Sequence, residues 1–197
     1  MINKGKKEQL TEQLEIIKEK STKSDHDIDV FEQVRMLLQK TSDYAREQSR
    51  VRIEALVTNC LQFIFDSNME FSIEISETRG RPEAEFYVVS ISEGQTTKMR
   101  PQEARGGGVV DIISLALRLA MLQCSSVNID GPIILDEPAK HVSDEYITQV
   151  AEFLKQVSLT FNRQVIMVTH NRHLTEIADK SFKIEQNDGK SSVIIDS

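Results

Sequence analysis

The chain has 197 residues, 39% of them hydrophobic and 28% charged, enough for one domain, or one domain plus an appendage, with an apolar core. A net charge of -7 argues against a nucleic-acid footprint over the whole surface while leaving room for a local basic patch. The absence of Trp and an aromatic content of 6% weaken readings built on carbohydrate stacking or an aromatic cage. No apolar run approaches the roughly 20 residues of a membrane span, and the segment from Met1 to Gln9 lacks an apolar leader, so a cytoplasmic chain without a membrane partner is expected. Cys60 and Cys124 sit in apolar surroundings without the paired spacing of a zinc or redox motif, which predicts buried thiols in a reducing compartment.

In chain order, Leu10, Leu14 and Ile17 follow the four-then-three step of a coiled-coil seam within a short amphipathic helix from Gly5 to about Lys20. Ser21 to His26 has no apolar residue and several cap formers, so a break is predicted there. Asp27 or Asp29 then caps a second helix whose apolar positions, among them Val34, Leu37, Leu38, Tyr44, Leu56 and Leu61, return to one side as far as Phe65. A helix from Val30 to Phe65 would run about 54 Å, more than a small domain needs, and its impure heptads imply a partner helix. The expected division is therefore a helical, coiled-coil arm over residues 1–65 and a compact lobe over 66–197.

The period then changes to two. Phe71, Ile73 and Ile75 alternate with polar residues, Arg79-Gly80-Arg81-Pro82 supplies a turn, and Glu85 to Ser92 reads as the returning strand of a hairpin. The remainder alternates helix (109–123), strand (133–135), helix (143–159), strand (164–168), a short helix (173–178) and two strands around Asn187-Asp188-Gly189-Lys190, which predicts an α/β fold.

Three segments carry chemistry. In Pro132-Ile133-Ile134-Leu135-Asp136-Glu137-Pro138 an apolar strand stops at two carboxylates. At the carboxyl edge of an α/β sheet such a pair is either an ordinary strand end with solvated acids or a site for a hard cation such as Mg²⁺ near Asp136, with Glu137 free to orient or deprotonate a water. About 30 residues on, Gln164-Val165-Ile166-Met167-Val168-Thr169-His170 repeats the pattern. A parallel pairing would bring His170 to the same edge, where imidazole can bond a phosphate oxygen or a water, or serve as a structural residue. Third, Arg105-Gly106-Gly107-Gly108 opens the helix beginning Val109-Val110-Asp111. Three glycines at a helix start either serve a turn or expose N–H groups at the positive end of the helix dipole, an anion site to which Arg105 adds charge.

In combination and order, P-I-I-L-D-E-P, V-I-M-V-T-H and G-G-G-V-V-D-I-I-S-L-A-L-R-L-A resemble the Walker B strand, the switch-histidine strand and the signature loop and helix of an ABC-type ATPase head. The similarity, over roughly residues 55–197, is to the C-terminal lobe in the branch of SMC proteins, RecN, RecF and the SbcC-type DNA double-strand-break repair ATPases. The resemblance implies ATP and Mg²⁺ as cofactors, Asp136 at the metal, Glu137 and His170 as catalytic residues, and Arg105, Gly106, Gly107 and Gly108 against the nucleotide. It implies a head-to-head dimer, with DNA and a nuclease subunit as further partners. Aligned on Ser114-Leu115-Ala116-Leu117, Gly106 stands at the family's signature serine, Val109 at the following Gln or Glu, and Ser143 where an aspartate is usual. No G-x-x-x-x-G-K-S/T occurs: Gly189-Lys190-Ser191 copies its tail, but Ile184 stands where the first glycine must be. The expected function is thus the C-terminal part of a composite ATPase, active only when a P-loop lobe completes it. A non-catalytic adaptor that docks a related ATPase, and an α/β domain without a nucleotide role, are the alternatives.

Overall fold

The computed structural model describes residues 2–65, 67–78, 81–92, 94–104, 106–124 and 130–195, in two compact units, Met1–Gln48 and Ser49–Ser197. A single α-helix, α1, spans Ile2–Phe65. The break expected at Ser21 to His26 does not occur. That stretch contains neither Pro nor Gly, and the Thr22 hydroxyl donates back to the carbonyls of Lys18 (3.2 Å) and Glu19 (2.9 Å). Thr11 and Thr41 do the same one turn back, so these side chains are absorbed by the preceding turn and do not end the helix. Within the first unit Leu10, Leu14, Ile17, Val34, Leu37, Leu38 and Tyr44 are all exposed.

In the second unit the end of α1 is buried through Val57, Cys60, Leu61 and Ile64, a three-four spacing that forms one apolar stripe. Burial pushes the Cys60 thiol up to about 12. The Cys124 side chain lies outside the described residues. Strands β1 (Met69–Thr78), β2 (Arg81–Ser92) and β3 (Gln95–Met99) form an antiparallel sheet in the order β1-β2-β3, with β1 and β2 paired from Met69↔Ser90 to Thr78↔Arg81. A third strand is not evident in the sequence, because Gln95-Thr96-Thr97-Lys98 carries no apolar alternation.

The outer edge of β1 is met by a polar ladder from α1. Glu54 Oε1 accepts from Ile73 N (2.6 Å), Thr58 Oγ1 accepts from Phe71 N (2.9 Å), and Gln62 Nε2 donates to Met69 O (3.2 Å). Four helical residues rise about 6 Å and two strand residues about 6.8 Å, so side chains one turn apart meet successive outward backbone groups. Glu54 Oε2 also accepts from Arg50 Nη1 at 2.7 Å.

After a 3₁₀ turn at Pro101–Glu103 come α2 (Gly107–Cys124), β4 (Ile133–Asp136), α3 (Asp144–Phe161), β5 (Val165–Val168), α4 (Arg172–Glu176), β6 (Phe182–Asn187) and β7 (Lys190–Ile195). β4 and β5 pair in parallel, joined through α3. That helix buries Ile147, Val150, Ala151, Leu154 and Val157 and ends at Asn162 in the left-handed conformation. α2 buries Val109, Ile112, Ile113, Leu115, Ala116 and Leu119 in the same core. β6 and β7 form a hairpin whose two turn residues, Asp188 (φ 50°) and Gly189 (φ 76°), both have positive φ, as a two-residue hairpin loop requires.

The ladder yields a direct test. Glu54→Ala leaves the Ile73 amide without its acceptor and should destabilise the chain by about 1–3 kcal/mol, read by urea unfolding. Glu54→Gln, whose amide oxygen still accepts, should recover most of the loss. Equal destabilisation by the two variants would assign the effect to the Arg50 ion pair instead.

Candidate functional site

The parallel register Ile133↔Val165 to Asp136↔Val168 is extended at both ends, by Ile133 N donating to Gln164 O (2.8 Å) and Glu137 N donating to Val168 O (2.8 Å). Aligned carboxyl ends leave Asp136-Glu137 and Thr169-His170 at one edge. His170 Nδ1 lies 2.8 Å from Glu137 Oε2, and Thr169 Oγ1 donates to the same oxygen at 3.4 Å. A carboxylate only accepts, so Nδ1 carries the proton and Nε2 is left for another partner. His170 is mostly exposed and Glu137 about one-third exposed. The hydrogen bond from His170, the larger effect, with that from Thr169, holds the Glu137 carboxyl below the usual carboxylate range against a smaller desolvation effect.

Asp136 is exposed, and no hydrogen bond or ion pair to it occurs among the described residues. Nor do the described residues contain a group of three or more His, Cys, Asp or Glu suited to a metal. One open carboxylate at a strand end fits Mg²⁺, which uses one or two protein carboxylates with phosphate and water oxygens, and does not fit a cage built wholly of protein.

Gly106 has φ +86°, and Gly107 and Gly108 form the first turn of α2. A Cβ on Gly106 would meet nothing within 4 Å, whereas on Gly107 it would lie 3.0 Å from His141 Cβ, and on Gly108 3.1 Å from the His141 carbonyl oxygen and Val142 Cα. The second and third glycines therefore admit the loop that follows β4, while the open side of the motif belongs to Gly106. The first amides of α2 have no intrahelical acceptor, in keeping with an anion site. Arg105 lies outside the described residues. Val109 is 4% exposed and belongs to the core.

Sequence reasoning overlooked two residues. Asp111 Oδ2 accepts from His141 N at 2.8 Å, and the Asp111 carboxylate also lies 3.1 Å from His141 Nδ1. Asp111 lies within the glycine-led segment, but nothing local pairs it with His141, 30 residues away. In the same loop Glu137 (φ 45°) and Ala139 (φ 64°) adopt left-handed backbone without being glycine.

Two expectations follow. A carboxyl whose folded pKa is depressed contributes stability that is full above its ordinary value, about 4.5 for Glu137, and is lost as pH falls through the lower folded value. The melting temperature of the wild-type chain should therefore drop more steeply below about pH 4.5 than that of Glu137→Gln; parallel profiles would remove the His170 contact from solution. For the glycines, Gly108→Ala should cost about 1–3 kcal/mol through collision with backbone, while Gly106→Ala costs only its left-handed conformation, about 1–2 kcal/mol. Denaturant titration ranks the two, and a harmless Gly108→Ala would show that the loop can retreat.

No family model matches the sequence. Among curated proteins, the chain is 29% identical to the DNA double-strand break repair Rad50 ATPase of Methanopyrus kandleri over 178 residues, 89% of this chain and 19% of the relative. It is 30% identical to that of Saccharolobus solfataricus over 126 residues, 64% of this chain and 14% of the relative. The chain thus spans less than a fifth of the length of these relatives. Among solved structures, a chain from work on ATP-driven dimerization and DNA-stimulated activation of SMC ATPases superposes with a TM-score of 0.59 at 19% identity, covering 76% of this chain and 86% of the other. The Smc head domain of Pyrococcus furiosus, with an extended coiled coil and bound to the C-terminal domain of ScpA, gives 0.57 at 18% identity over 82% of this chain and 40% of that one. The long N-terminal helix, the hairpin region and the α/β elements match these heads in fold, and the Rad50 relatives match in sequence: the chain resembles the C-terminal lobe of an SMC/Rad50-like ATPase head.

Proposed function

We propose that the chain is the C-terminal part of an SMC/SbcC-like ATPase acting in DNA repair or maintenance, supplying Walker B, signature and switch-histidine elements to an ATP site completed by a P-loop lobe. In this reading residues 1–65 are the arm and 66–197 the lobe, the arm pairing with a second helix as a coiled coil. The observation that carries it is the parallel β4–β5 register, with Asp136, Glu137 and His170 at one edge and Glu137 already 2.8 Å from His170. Further support comes from the outward side of those strands, where Ile134, Ile166 and Val168 are exposed. A covering lobe would bury them.

When bound with ATP, Mg²⁺ neutralises phosphate charge. Asp136 would hold the ion, Glu137 would orient the attacking water and take up its proton, and His170 would contact the γ-phosphate through Nε2, its orientation set by Nδ1. Gly106 to Gly108, with Arg105, would offer backbone N–H groups and charge to a nucleotide held by a second head, so two heads would close around ATP. DNA and a nuclease subunit are the further partners this implies. A second reading, an adaptor that docks a related ATPase, is favoured by one observation: at position 109 a buried valine replaces the family's polar side chain.

The isolated chain should hydrolyse ATP negligibly, since its sequence carries no G-x-x-x-x-G-K-S/T to cradle the α- and β-phosphates. Mixed with a P-loop lobe from the same genome, it should gain turnover that Glu137→Gln slows by about 10²-fold or more at retained ATP binding, while Asp136→Ala weakens Mg²⁺-dependent binding itself. A complex that forms without any turnover would select the adaptor.

A further inference from the structure

The loop after β4 holds two non-glycine residues, Glu137 and Ala139, in left-handed backbone. Such conformations are strained for residues that carry a Cβ and persist only where the surroundings enforce them. Glu137 is held on its N-terminal side by its amide bond to Val168 O. On the C-terminal side, Val142 N donates to Ala139 O (3.0 Å), and one residue earlier His141 N donates to the Asp111 carboxylate. Asp111 is one turn beyond Gly107 on α2, and its carboxylate is 24% exposed. It grips both the backbone and the ring of His141, while Gly107 and Gly108, lacking Cβ atoms, let the loop close against the helix.

From this geometry we infer that Asp111 is a positioning residue for Glu137: by tying His141 to α2 it holds the loop in the strained form that presents the Glu137 carboxylate to Thr169 and His170. The helix that begins with the three glycines and the strand that ends in the two acids thereby become one rigid piece. A shift of the glycine turn would reach Glu137 through the Asp111 carboxylate together with the direct packing of Gly107 and Gly108 on His141 and Val142. The consequence for hydrolysis rests on the function proposed above; the positional claim does not.

The two are separable by experiment. In the full chain, NMR Cα and Cβ shifts of Glu137 and Ala139 report left-handed backbone directly. Asp111→Ala should move both residues out of that range at nearly unchanged melting temperature. Asp111→Asn, whose carbonyl still accepts from His141 N, should leave them in place. In a head reassembled with its P-loop lobe, Asp111→Ala should lower kcat by about 10²-fold with KM for ATP little changed, and Asp111→Asn should restore most of it. Unmoved shifts in Asp111→Ala overturn the positioning role whatever the activity, and moved shifts with normal kcat overturn its catalytic consequence. If both Asp111→Ala and Asp111→Ser fail to fold, the residue is structural and the inference falls. Absence of turnover in the wild-type assembly overturns the functional reading alone, and the shifts still decide the position of Glu137.

Discussion

The parallel pairing of β4 with β5 is the constraint on which the candidate site depends. Side chains alternate along a strand, so a slip of one residue would turn Asp136 inward and separate Glu137 from His170. The register is secured in two ways. Ile133 and Leu135 are buried against the helices while their neighbours Ile134 and Asp136 are exposed, which sets the facing of β4. The backbone bonds from Ile133 to Gln164 and from Glu137 to Val168 then close the ladder at both ends. A parallel pair needs a long crossover, and α3 provides it with a stripe from Ile147 to Val157 facing the core. The contact between Glu137 and His170 follows from the packing of α3 as much as from the two residues themselves.

The second constraint is how closely α2 approaches the loop after β4. Apolar packing draws the helix in through Ile112, Ala116 and Leu119, all nearly inaccessible, and at its first turn the helix meets backbone. A Cβ at 108 would sit 3.1 Å from the His141 carbonyl oxygen, so any larger residue requires the loop to give way by a few tenths of an ångström. The triplet G-G-G, which reads on paper as one phosphate-binding feature, thus divides into a left-handed residue with open space beside it and two residues that allow helix and loop to pack. The left-handed turns at Glu137 and Ala139 are the loop's share of that fit.

The strands ending in D-E-P and T-H, their parallel pairing and the glycine-led helix were legible because each combines an apolar run with an abrupt polar stop. The hairpin from Phe71 to Ser92 was legible through its period of two. The third strand was not, since an edge strand of Gln, Thr and Lys carries no period. The continuity of α1 through Ser21 to His26 was missed because side chains that cap a helix can equally bond back to carbonyls of the preceding turn, as Thr22 does, and composition does not tell these apart. The contact between Asp111 and His141 was invisible for another reason. Their meeting depends on how closely two elements pack, which glycine permits but no local pattern announces.

The apolar runs contain one more piece of information. Ile133-Ile134-Leu135 and Val165-Ile166-Met167-Val168 are continuous, without the polar alternation of a strand that faces water on one side. Continuous runs are the mark of parallel strands covered on both faces. Here one face is covered by helices and the other leaves Ile134 73%, Val168 63% and Ile166 43% exposed. Asp136 alternates onto that same open face, so whatever covers the apolar strip also borders the carboxylate proposed to hold Mg²⁺. In the function proposed above, a lobe bearing a phosphate-binding loop would cover the apolar strip and border the Asp136 carboxylate in a single contact.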